Sequence, residues 1–241
     1  FLGDLARGGK PYEFELMVDL FVKKITPEVH NAIGNHDSIN RVNYQKLFTK
    51  KSYYSFTKKS TLFVVLDTES SKEMIDEKQF DFFKTQLNEA LDDDKIQNIF
   101  VFSHKLMWLG ASDDFGKMTR YTHDPKGHVR AAEWYKVNVV PLLSKLNKKN
   151  LYWVGGDVGC MTPSNVYVKH AGLNNIHYFA SGICDQIDDG IIKFVIKDGK
   201  VKFYFEELLN QKVTEVVTPS FDTWVIQTEE MSLERLSLNR K

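Results

Sequence analysis

Val29-His30-Asn31-Ala32-Ile33-Gly34-Asn35-His36-Asp37 is a short apolar run that stops at Gly34 and gives way to three polar residues able to do chemistry. The simplest reading is a buried strand over 29–33 that delivers Asn35, His36 and Asp37 into a loop at its carboxyl end. Asn35 offers a neutral oxygen, and His36 a proton or a lone pair near neutral pH. Asp37 is expected to orient the His36 ring through its second nitrogen. Gly34 removes side-chain bulk where the backbone turns toward a ligand. Gly, Asn and Asp are also good turn residues, so the weight of this stretch depends on what surrounds it.

Working outward, the same pattern recurs. Upstream, Phe1-Leu2 reads as the end of a strand and Gly3-Asp4 as its exit loop. Between the two lies helical spacing over 12–25, with Leu16, Met17, Leu20, Phe21 and Ile25 as its apolar positions and Pro27 as its stop. If the flanking strands are parallel, the crossover makes Asp4 and Asn35 neighbours. Downstream, Ile96 to Phe102 is an apolar strand that ends in Ser103-His104, and Leu151 to Val154 is another that ends in Gly155-Gly156-Asp157.

The remaining elements fill in an α/β first half. A short helix is expected over 43–49. A hairpin is expected from 52–56 and 61–66, with Asp67 after it. Asp76 and Gln79 form a capping box for a helix over 77–91 that buries Phe80, Phe83, Leu87 and Leu91. Residues 105–128 form a long loop, which in a compact domain usually has a functional reason. A helix over 129–147 follows, with Trp134, Val137, Val140, Leu143 and Leu146 inward and a break at Pro141. Beyond it the pattern turns to short strands at 165–170, 175–180, 190–197 and 200–206, the last two joined by Asp198-Gly199. This gives one domain over 1–210 and an extension over 211–241.

Composition bounds the function. The 241 residues carry 42% hydrophobic residues and 17 Phe, ample for a large core. Lys plus Arg equals Asp plus Glu at 32 each, which excludes a broad basic footprint for nucleic acid. The two cysteines, Cys160 and Cys184, make no disulfide framework and no paired metal-ligand spacing. No apolar run reaches membrane-spanning length.

Taken in order, Gly3-Asp4, Gly34-Asn35-His36-Asp37, Ser103-His104 and Gly156-Asp157 resemble the motifs of the calcineurin-like metallophosphoesterase family. The resemblance covers residues 1 to about 206. It implies a four-layer α/β/β/α sandwich with two mixed sheets and a site for two divalent transition-metal ions, Mn, Fe or Zn, at the strand ends. Asp4 looks like the carboxylate that bridges the two ions, with Asn35 and His104 as ligands of the second. His36 resembles the catalytic histidine, which assists a leaving alkoxide or stabilises the phosphoryl oxygens, with Asp37 behind it. The implied reaction is hydrolysis of a small-molecule or macromolecular phosphoester by a hydroxide held between the ions.

The chain departs from the family pattern twice. The family's first motif, Asp-x-His, has no counterpart; the resemblance puts it on a strand upstream of Phe1. Where the family has Gly-His-x-His, this chain reads Gly156-Asp157-Val158-Gly159. Asp157 can still give an oxygen to the second ion, whereas Gly159 has no side chain to give the first. His123, His128, His170 and Cys160 are candidate replacements, and the loss leaves open a site with one ion. A weakened or inactive relative that binds a ligand or protein is the alternative function. Arg7 and Arg120 are candidates to meet phosphate oxygens, and Trp108, Tyr121 and His123 to contact the rest of a substrate. Cytoplasmic placement is expected, with export if a signal segment precedes residue 1.

Overall fold

The apolar runs expected to be strands do pair, and their side-chain alternation sets the layers. The computed structural model describes all residues except 26, 49–50, 72–74, 117–124, 147, 159–164, 170–172, 174, 184–188 and 217–241. Six strands form one sheet in the order β1-β2-β3-β4-β6-β5. They are β1 (Tyr54–Lys58), β2 (Thr61–Val65), β3 (Asn98–Ser103), β4 (Asn150–Gly155), β5 (Asn165–Lys169) and β6 (Ile176–Ser181). β2, β3, β4 and β6 run parallel, and the edge strands β1 and β5 run antiparallel to their neighbours. A second, antiparallel sheet contains β7 (Gly190–Lys197), β8 (Lys200–Glu207) and β9 (Val213–Glu215) in that order.

Successive strand residues face opposite sides. On one side of the large sheet, Leu62, Val64, Ile99, Val101, Leu151, Trp153, Ile176 and Tyr178 pack under α4 (Glu77–Asp92), α6 (Pro125–Asn138) and α7 (Val140–Leu143). On the other, Phe63, Phe100, Phe102, Tyr152, Val154 and Phe179 meet Ile192, Phe194 and Phe203 of the small sheet. A third cluster of Ala6, Phe14, Ile33 and Tyr44 seats α1 (Pro11–Leu20) and α3 (Arg41–Leu47) on the segments around residues 5 and 33. The expected α/β layout with two stacked sheets is therefore present.

Several local expectations change. Residues 29–33 are extended but form no regular strand; their pairing is two bonds, Phe1 amine to His30 carbonyl and Ala32 N–H to Phe1 carbonyl. The supposed antiparallel second half splits, because β6 is buried on both faces and joins the parallel sheet beside β4. The helix over 12–25 ends at Leu20, and its single buried residue is Phe14, not the Leu16–Leu20–Phe21 stripe, which is exposed. Helix α6 begins earlier, at Pro125, and turns His128, Ala131 and Tyr135 inward while Val137 is exposed. Its interruption before Pro141 falls where the missing proline N–H ends the helical ladder. The small sheet continues through β9, past residue 210, while the expected short run at 224–227 lies outside the described residues.

Candidate metal and phosphoester site

Parallel register brings the chemistry to one edge. Val65 pairs with Phe102, and Ser103 with Gly155, so Asp67, His104 and Gly156-Asp157 leave the sheet side by side. The backbone then ties the loops together. The N–H groups of Gly156 and Asp157 both bond the His104 carbonyl, at 2.8 and 2.9 Å. Close approach needs glycine at three places. A methyl group on Gly3, whose φ is +98°, would lie 2.6 Å from His104 Nδ1; one on Gly34 would collide with the Asp4 carboxylate, and one on Gly156 with the Leu2 carbonyl. Asp4 itself holds a left-handed φ of 55°, an uncommon conformation for a residue with a side chain and one that clusters at ligand sites.

His104 is buried at the centre of this junction. Its Nδ1 lies 2.8 Å from the Leu2 carbonyl, which can only accept, so Nδ1 carries the proton. In the neutral ring Nε2 then turns a lone pair toward three oxygens: Asn35 Oδ1 at 2.9 Å, Asp4 Oδ2 at 3.5 Å and Asp157 Oδ1 at 3.9 Å. Such a set of electron pairs is satisfied by a second ring proton or by a cation. Ligands bonded at ~2.1 Å and spread at octahedral to tetrahedral angles lie ~3.0–3.4 Å apart. Asn35 and Asp4 fall close to that spacing from Nε2, and Asp157 lies outside it. Among the described residues no three His, Cys, Asp or Glu side chains stand together as a ready metal cage. Asp4, Asn35 and His104 bring two oxygens and an imidazole nitrogen together at near-ligand spacing about Nε2.

His36 stands in α2 (Asn35–Ser38), the turn that follows Gly34. Its N–H donates to Asp4 Oδ1 at 3.0 Å, and its Nδ1 lies 2.5 Å from the Arg7 carbonyl, which therefore takes the ring proton. His36 also lines the cavity beside these loops. Asp37 does not hold the ring. It is fully buried and accepts from the N–H groups of Ala6 and Gly34, each at 3.0 Å, so it braces the loops instead. Burial pushes its carboxyl up to about 6 against those two stabilising bonds. One residue beyond α2 and its turn, Arg41 of α3 forks onto Asp67 at 2.5 and 3.2 Å and onto the Glu69 carbonyl, which pins this segment to the end of β2.

Behind His104 lies a second group of charges. Lys105 is buried, and its Nζ is 4.0 Å from Glu69 Oε1 and 4.0 Å from Asp157 Oδ2. His128 of α6 brings Nε2 to 3.6 Å from the same Asp157 oxygen. Burial pushes the Glu69 carboxyl up to about 7, against the downward pull of Lys105. Glu69 and Lys105 were missed in the sequence. The usable signal was that Asp67-Thr68-Glu69 and His104-Lys105 both follow buried strands at the same sheet edge.

Other expectations fare unevenly. Trp108 is not a platform for a substrate; it is fully buried, stacked on Tyr178 at 5.2 Å and edge-on to Phe115, because 107–111 coil into a 3-10 turn beneath the helices. Arg7 is exposed and contributes its carbonyl. Arg120, Tyr121, His123, Gly159, Cys160 and His170 lie outside the described residues. Beside the loops opens a cavity of about 810 Å³, lined by His36, His104 and Asp157 together with Phe56, Phe63, Phe102 and Phe194.

No protein-family model matches the sequence, and no curated protein matches it. Among solved structures the fold is similar to that of the purple acid phosphatase PPD1 from yellow lupin (Lupinus luteus) seeds, with a TM-score of 0.62 and 14% identity over 88% of this chain. The match takes in 44% of the lupin protein, so the chain spans under half of its length. At that identity the likeness is one of fold alone.

Proposed function

We propose that the protein is a metal-dependent phosphoesterase whose candidate site takes one divalent transition-metal ion on Asp4, Asn35 and His104. The observation that carries this reading is the His104 ring, proton-fixed by Leu2 so that Nε2 faces the amide and carboxylate oxygens. Oxygen and imidazole donors together suit Mn, Fe or Zn. A bound ion would neutralise phosphoryl charge and activate water there. The chain's own residues do the rest. His36, held by the Arg7 carbonyl through Nδ1, lines the cavity; as the imidazolium it would give its Nε2 proton to the departing alkoxide. Asp37 acts through the backbone, since its two bonds set the spacing of the Asp4 and Gly34 loops. The exposed Arg7 guanidinium would add charge for phosphate oxygens.

The test is hydrolysis of a panel of phosphomonoesters and diesters by protein supplied with Mn²⁺ or Zn²⁺. Turnover that falls in His36→Ala while metal content stays constant supports the assignment. A protein that binds its ion but hydrolyses none of the panel favours the second reading, a phosphoesterase-like scaffold used for binding. That reading has its own support: one oxygen of Asp157 faces Lys105 and His128 at 4.0 and 3.6 Å.

A further inference from the structure

We infer that Lys105 is a built-in cation that competes with metal for Asp157; this rests on the proposed metal site. A lysine is among the residues least often buried, and burying its charge costs several kcal/mol unless partners offset it. Here the ammonium sits 4.0 Å from Asp157 Oδ2 and 4.0 Å from Glu69 Oε1, on the residue next to His104. Asp157 is thereby divided. Its Oδ1 points to His104 Nε2 at 3.9 Å, while Oδ2 points to Lys105 and to His128. That division accounts for its place outside the ligand spacing that Asn35 and Asp4 keep. The chain pins Lys105 from both sides: its N–H donates to Thr68 Oγ1 at 3.1 Å, and its carbonyl accepts from Ser103 Oγ at 2.9 Å. Glu69 is fixed in turn, because Arg41 holds its carbonyl and Asp67 accepts from its N–H at 2.9 Å. The backbone that carries Lys105 and Glu69 is therefore fixed at the ends of β3 and β2.

The experiment measures Mn²⁺ affinity and stoichiometry by calorimetry, with electron paramagnetic resonance of bound Mn²⁺ as a report on its ligands. Lys105→Met should bind Mn²⁺ about tenfold or more tightly, since a like charge is removed and Asp157 is released toward the ion. Its resonance spectrum should change as a carboxylate joins the ligands. Lys105→Arg, which keeps the charge, should bind close to the native affinity. In an Asp157→Asn background the gain from Lys105→Met should shrink to a small remainder, because the competition is for that carboxylate. Unchanged or weaker binding in Lys105→Met, or a gain that survives intact in Asp157→Asn, overturns the inference. Lys105→Gln gives the same comparison with a polar head if the Met variant does not fold. If neither the native protein nor any variant binds Mn²⁺, the proposed metal site itself is wrong, a result distinct from native binding that Lys105→Met leaves unaltered.

Discussion

The two sides of His104 are built by different means. On the side of Asn35 and Asp4, main chain touches main chain through glycines, and the polar side chains are held by backbone N–H and C=O groups. On the side of Asp157, the side chains of Asp157, Lys105, Glu69 and His128 face one another at 3.6–4.0 Å, on backbone held at the ends of β2 and β3. The first arrangement fixes geometry without depending on charge. The second depends on charge and changes with every substitution or protonation within it.

Four experiments break or sharpen this contrast. The largest effect belongs to His36→Ala, which should lower kcat by roughly 10²–10⁴ if the ring donates a proton in the transition state; calorimetry should find Mn²⁺ binding nearly unchanged. Next is Asp37→Ala, which leaves the N–H groups of Ala6 and Gly34 buried without their acceptor. At ~1–3 kcal/mol for each lost partner, denaturant titration should show a stability loss of about 3 kcal/mol. Its effect on turnover should follow from loop displacement, so it should appear in metal affinity as well as in kcat.

The charged side predicts a pH dependence with a defined sign. The Glu69 carboxyl sits at about 7 in the fold against an ordinary value of 4.5, so the native state holds the extra proton between those values. Stability from this group is therefore greatest below about pH 4.5 and falls as pH rises toward 7, by up to roughly 3 kcal/mol. Glu69→Gln should flatten that slope in urea melts taken from pH 5 to 8. The smallest effect is that of Arg7→Ala. It should raise KM a few-fold and leave kcat within about twofold, because the His36 ring is held by the Arg7 carbonyl and not by its guanidinium. A collapse of kcat in that variant would show that the side chain is part of the ring's support.

The difference also explains what could be read in the sequence. Strand ends that stop at Gly-Asp, Gly-Asn-His-Asp or His are local signals, so Asp4, Asn35, His36 and His104 were legible together with the α/β layout. The role of Asp37 was not, since its partners, Ala6 and Gly34, are chosen by how two loops cross. Lys105 looks like a surface lysine after a strand, and only the inward packing of α6 shows that it is enclosed. Trp108 misled for a related reason: a loop of unusual residues reads as exposed until the helices above it are in place. The inward face of α6 was misread because the helix was begun at 129, which left His128 in the loop, and because Val137 was taken as a core position; His128 is buried facing Asp157 and Val137 is exposed.

The three glycine contacts at residues 3, 34 and 156 have a consequence for how such a site changes over time. Because the loops rest on one another through bare backbone, their spacing is independent of which side chains project beyond the contact. Side chains such as Asp157 or Lys105 can be exchanged, and the platform beneath is undisturbed. The cost of revising the chemistry is then confined to the charges exchanged, while a single methyl group at any of the three glycines would force the loops apart and remove the platform for every ligand at once.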